Sequence, residues 1–162
     1  MTDLIIERGA LDTLQAGVVA ALKAEPFLAD VPVLHERVED LAYQIDLALA
    51  GLQEQGGGMG ICCVVLTPRF RVSNPNVPGP YCDPVNLVVR IMENVLINMS
   101  DTGTKKPASL VCEVVANRIH HLTLPGFAGC INVQDGGIVS VPGYLAYQVN
   151  ATTECKLTRK EP

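Results

Sequence analysis

The alternation of apolar and polar residues is most regular between Val85 and Leu122, where it predicts a long strand, a polar connection and an amphipathic helix. Counted by twos, Val85, Leu87, Val89, Ile91, Val95 and Ile97 share one face of the strand, while Asn86, Val88, Arg90, Met92, Asn94 and Asn98 share the other. The first face requires a core; the second meets solvent or a partner. In the helix, Val111, Cys112, Val115, Ala116, Ile119 and Leu122 recur at spacings of three and four, a stripe suited to covering the strand's apolar face. The link between them, MSDTGTKKPA, is polar enough to reverse the chain, with Thr104 expected as the helix N-cap and Pro107 in the first turn. Glu93 falls on the apolar face. It marks either a bulge or a charge reserved for a partner.

The same counting organises the remaining chain. Leu11, Leu14, Val18 and Leu22 predict a first helix that Pro26 terminates. Residues 31–34, Val-Pro-Val-Leu, form a short extended piece whose proline suits a sheet edge. A second amphipathic helix follows from Val38, Leu41, Ala42, Ile45, Leu49 and Leu52, and Gly56, Gly57 and Gly58 end it. The unbroken apolar run from Ile61 to Thr67 predicts a strand covered on both faces. After Pro68 the pattern resumes in Arg69, Phe70, Arg71 and Val72, as if the arm continued past a bulge. Ser73 to Pro84, SNPNVPGPYCDP, holds four prolines and is expected to be an extended, semi-rigid hairpin tip. Gln134, Asp135, Gly136 and Gly137 predict a hairpin turn between two short strands, and Pro142 and Gly143 a second turn. From Tyr144 to Cys155 the residues alternate as a half-buried antiparallel strand, before a polar tail at residues 156–162 that is expected to fray.

The sum predicts an α+β fold: a largely antiparallel or mixed β-sheet, helices packed mainly on one face, and a long projecting β-hairpin. With 162 residues and 48% hydrophobic content the chain is expected to be one domain, 1–162, burying roughly 70% of its unfolded surface. A net charge of −5 argues against nucleic acid as the main partner, because phosphate binding needs clustered Lys and Arg. Charges inside the first apolar stretch, MTDLIIERGALD, predict neither a secretory signal nor a membrane span, hence synthesis in the cytoplasm. The six cysteines have no CxxC spacing and read as small buried hydrophobes.

Candidate chemistry changes this picture little. His120 and His121 point about 100° apart on a helix, so a shared metal is disfavoured and capping of the last turn is the expected role. Cys62 and Cys63 point to opposite faces of a strand with no base in view. Gly56 to Gly58 lacks the Lys-Ser/Thr of a phosphate loop, and no hydrolase, zinc-protease or dinucleotide signature is present. The expected sets of catalytic residues, metal ligands and cofactors are therefore empty.

Arg90 to Asn94 (RIMEN), Asn98, the turn Thr102 to Lys105 (TGTK), the helix end Ile119 to Leu122 (IHHL) and Tyr147, Gln148 and Val149 resemble tail terminator, or tail completion, proteins of long-tailed bacteriophages and prophages. In that family a strand ending in Glu-Asn leads through a Gly-Thr turn into a helix closing on a Leu-His-like end. The resemblance covers Phe27 to Glu154 in order of elements, and departs from the pattern at Ile-His-His-Leu. It implies a virion protein that forms a ring of identical copies, expected to be a hexamer, on the last ring of the tail tube protein. That ring would end tube polymerisation and meet a head-completion or connector protein, with no catalysis, cofactor or membrane. The rival reading is a small cytoplasmic adaptor or enzyme.

Ring subunits need arms and strand edges that neighbours can pair with. The residues expected to make subunit or tube contacts are accordingly Pro68, Arg69, Phe70, Arg71, Asn74, Asn76 and Tyr81 on the arm, with Arg90, Glu93 and Asn94 on the long strand.

Overall fold

Five consecutive apolar residues, Ile61–Val65, have no polar face to offer water, and every one of them is buried. The computed structural model describes residues 9–37, 39–50, 59–72, 81–125, 127 and 129–156, with the backbone alone at 71, 72, 81–83, 155 and 156. In it, helix α1 (Ala10–Lys23) leads through a 3-10 turn at Pro26–Leu28 to strand β1 (Val33–His35) and helix α2 (Leu41–Ala50). Strands β2 (Ile61–Val65), β3 (Arg69–Val72) and β4 (Tyr81–Glu93) follow. A one-turn helix α3 (Val95–Asn98), helix α4 (Ala108–Ile119) and strands β5 (Asn132–Val141) and β6 (Tyr144–Lys156) complete the fold.

The six strands make one mixed, open sheet in the order β1-β2-β4-β6-β5, with β3 also paired to β4. Only β1 and β2 run parallel; all other pairs are antiparallel. One edge of β4 pairs with β2 at residues 89–93 and with β3 at residues 82–86, so β2 and β3 are two halves of one arm. The arm breaks at residues 66–68. Proline has no N–H for the ladder, and Pro68 sits buried in that break. This is the predicted continuation past a bulge, and it places Pro68, expected among the contact residues, inside the protein.

Two cores flank the sheet. Leu14, Val18 and Leu22 of α1 and Val111, Val115 and Ile119 of α4 pack on Ile61, Cys63, Val65, Leu87, Val89 and Ile91. Gln15 of α1, 4% exposed, donates its amide to the Val65 carbonyl (2.9 Å) and so is not left unpaired in that core. On the opposite face α2 brings Ala48 and Leu49 onto Cys62, Val64, Met92 and Ala146. The α+β class with helices mainly on one face is as expected from the pattern.

The end of β4 differs from expectation. The strand stops at Glu93, and Asn94 caps α3 by accepting the Ile97 N–H (3.5 Å), so Val95 is 46% exposed instead of continuing an apolar strand face. Asn94 also donates to the Leu49 carbonyl (3.2 Å), so it fastens the end of β4 to α2. Glu93 keeps regular register with Ile61 and Leu145, so it marks no bulge. Nor is it a charge presented to a partner: it is 2% exposed, and its two oxygens accept Asn98 Nδ2 (2.6 Å) and the Ala108 backbone N–H (2.9 Å).

Glu93 thereby caps α4 from outside the helix, where Thr104 was expected. Pro107 occupies the N-cap position with no side-chain cap, and the Thr104 hydroxyl instead donates to Asn98 Oδ1 (2.6 Å). Asn98, fully buried, also donates to the Lys106 carbonyl (2.8 Å). Two glycines permit this closeness: a Cβ at Gly103 would lie 2.1 Å from the Asn98 carbonyl oxygen, and one at Gly60 (φ +79°) 2.4 Å from the Asn98 nitrogen. Glu93, Asn98, Gly103 and Thr104 of the resemblance motif are thus one hydrogen-bonded knot.

A further expectation fails at β5. Asp135, Gly136 and Gly137 lie within a continuous strand, with a register shift between Val133 and Asp135, and the reversal falls on Gly143 (φ +82°) after Pro142. A two-residue hairpin turn needs positive φ, which neither Gly136 nor Gly137 adopts. His120 is the C-cap residue of α4, with its backbone N–H on the Ala116 carbonyl (3.0 Å), and the pair also fastens the helix to β5: His120 Nδ1 accepts the Val133 N–H (3.2 Å), and His121, at φ +60°, donates its backbone N–H to the Ile131 carbonyl (2.8 Å).

Replacing Glu93 with Ala should destabilise the protein by about 2–4 kcal/mol, because the Ala108 N–H and one Asn98 donor are stranded in a buried place. Urea unfolding measures this, and a loss under 1 kcal/mol contradicts the cap. Burial pushes the Cys62 thiol up to about 12 and Cys63 further. Iodoacetamide at neutral pH should therefore spare both in the folded protein, and mass spectrometry finding either modified without unfolding contradicts the two-sided cover.

Candidate assembly interface

Helix α2 covers only one end of its sheet face. Past Met92, the side chains of β4 on that face are Arg90, Val88 and Asn86, and no helix among the described residues lies over them. The neighbouring strand continues the polar surface with Gln148, Asn150 and Thr152, which pair with Arg90, Val88 and Asn86.

These side chains form a row across the sheet. Arg90 Nη2 donates to Gln148 Oε1 (3.0 Å), Gln148 Nε2 to Asn150 Oδ1 (2.8 Å), and Asn150 Nδ2 to Asp135 Oδ1 on β5. Charge-assisted bonds end the row at both sides, a guanidinium at one and a carboxylate at the other. Gln134 Nε2 adds a parallel bond to Thr152 Oγ1 (3.0 Å).

At the arginine end lies a recess of about 510 Å3 lined by Glu36, Thr67, Arg69, Asn86, Arg90 and Gln148, with Leu66 and Val88 as its apolar wall. Glu36 accepts the Thr67 N–H (2.7 Å) at the break between β2 and β3. That bond, followed by the positive charges of Arg69 and Arg90, holds its carboxyl below the usual carboxylate range. One acidic group faces two guanidinium groups, so the recess is locally positive on an acidic chain. Arg90 Nε is buried and has no hydrogen-bond partner. Such an orphan costs roughly 1–3 kcal/mol.

Of the residues expected to make contacts, the structure brings Arg69 and Arg90 together in this recess. Phe70, 47% exposed, pairs with Val85 and so faces the α1–α4 side of the sheet. Pro68, Glu93 and Asn94 are engaged inside the protein. Asn74 and Asn76 lie outside the described residues, as do the side chains of Arg71 and Tyr81 and the rest of the proline-rich tip at 73–80. Sequence reasoning missed Glu36, Gln148, Asn150 and Asp135. The polar parity of β6 holds Gln148 and Asn150 on one face, but which β4 residues they meet depends on strand register.

Among the described residues no three His, Cys, Asp or Glu side chains gather as a metal site, and no helix is long and apolar enough to cross a membrane. What the arrangement can do is accept a carboxylate at the recess and pair backbone at the sheet's edges.

No family model and no curated protein matches the chain. In fold it is similar to a chain of the virion of a native gene transfer agent (GTA) particle, with a TM-score of 0.52 and 14% identity over 91% of this chain and 97% of that one.

Because the folded protein holds Glu36 below its ordinary range, its bond contributes stability above the unfolded-state pKa of about 4.3 and loses it as pH falls through the lowered value. Glu36→Gln should thus cost about 0.5 kcal/mol at pH 7, on the scale of exposed pairs, and less as pH falls. Urea midpoints at pH 7 and pH 3 test this; a gap at pH 3 as large as that at pH 7 contradicts it.

Proposed function

We propose that the protein is a virion structural component that caps a phage-type tail tube as a ring, ends tube polymerisation and forms the head–tail joining interface. The observation that carries this reading is the nearly end-to-end similarity in fold to a chain of a virion particle, 91% of this chain against 97% of that one. The local resemblance to tail terminators supports it, since its residues form the knot at the end of β4. Neither role calls for catalysis or a cofactor.

The physical requirements of a ring subunit are met in kind. A ring of identical copies uses two different patches on each copy, joined head to tail. Here the sheet ends in separate edges, and its open face carries a positive recess with an unsatisfied donor. Closing the ring would cover both, and a hexamer is the expected number.

The full chain, alone or mixed with tail tubes, should give particles several times 17.3 kDa and rings in negative stain, with tubes of uniform length. A chain that stays monomeric and neither caps tubes nor changes their length contradicts the reading. Deleting Asn74 to Pro80 should leave the fold intact, as judged by circular dichroism, and abolish ring formation. Rings and length control that survive the deletion remove the arm from the interface.

A further inference from the structure

We infer that the β5 edge of one copy docks beside β3 of the next, and that Asp135 is the carboxylate that enters the Arg69–Arg90 recess of its neighbour. The inference rests on the ring reading above and names the residues that would join its copies.

Two backbone edges and two opposite charges lie where such a joint needs them. Strand β5 is the last strand on one side of the sheet. On the other side β1 covers β2, but among the described residues nothing pairs with the outer side of β3. A strand edge left open in this way is a template for another strand.

The charges share one face. Asp135 pairs with Asn150, which pairs in turn with Val88, two residues from Arg90 on β4 and two from Asn86, the partner of Arg69. In a sheet the period is two, so Asp135, Arg69 and Arg90 all point to the α2 side. A rotation that continues the sheet from copy to copy keeps that side, and the register inferred here is the one that sets Asp135 of one copy beside Arg69 of the other as a cross-strand pair.

Chemistry selects the carboxylate. Arg90 Nε is buried without a partner, and Glu36, the recess's own acid, is already held by the Thr67 N–H. Asp135 is exposed, and one of its oxygens is fixed by Asn150. Within a copy the row Arg90–Gln148–Asn150–Asp135 ends in unlike charges at opposite sides. Head-to-tail docking joins these rows into one circuit of hydrogen bonds around the ring.

The test is a charge swap on the full chain, read by mass photometry and by negative stain with tail tubes. Asp135→Arg and Arg69→Asp should each raise the concentration needed for rings at least tenfold, and the double variant should recover most of the loss. Thermal melting checks that each variant folds; for any that does not, Asp135→Asn and Arg69→Gln replace it, with a threefold or larger effect expected. Wild-type rings should also weaken as NaCl is raised from 0.05 to about 0.5 M, as exposed charge pairs do. Single variants that assemble like the parent, or a double variant no better than either single, overturn the Asp135 joint while leaving the ring reading standing. Arg69→Asp blocking attachment to tubes while Asp135→Arg does not would assign the recess to the tube and overturn it too. A parent chain that never forms rings overturns both.

Discussion

A carboxyl group buried at the last residue of the longest strand decides where β4 ends and where α4 begins. Glu93 accepts the first N–H of α4 and the amide of Asn98, and Asn98 in turn is held by Thr104 and gives its other bond to Lys106. A polar network in so dry a place is stable only when complete, since each missing bond exposes a buried partner. The turn at residues 99–107 is therefore fixed by its ends and by two close glycines, not by secondary structure of its own.

With its start pinned to the end of β4, α4 lies beside α1 over one face of the sheet, and the large core collects there. Among the described residues only the ten-residue α2 lies on the other face, and it does not reach beyond Met92. The uncovered remainder is polar in sequence and bonded in rows, so it can stand in water. It is nevertheless incomplete: a buried guanidinium nitrogen lacks an acceptor, and the strand edges beside it lack partners among the described residues. The asymmetry between a finished face and an unfinished one is the feature that the proposed joining of copies would use.

Much of this was legible in the amino-acid sequence wherever periodicity alone decides. The apolar run of β2, the alternation of β6 and the stripe of α4 all follow from counting, because burial enforces them locally. The errors cluster where a distant group overrules a local signal. Thr104 looks like a cap until Glu93, eleven residues earlier, supplies one, and Asp-Gly-Gly looks like a turn until β6 pairs straight across it. The recess was half legible: Arg69 and Arg90 stand out, but Glu36 and Gln148 join them only through the register of β1, β2, β3, β4 and β6.

Amide hydrogen exchange on the assembled and free protein bears most directly on the claim that the sheet's open edges join copies. Assembly should slow exchange in Arg69–Val72 and Asn132–Val141 while leaving the outer surfaces of α1 and α4 as they were. Protection gained on those helices, with β3 and β5 unchanged, would contradict the account.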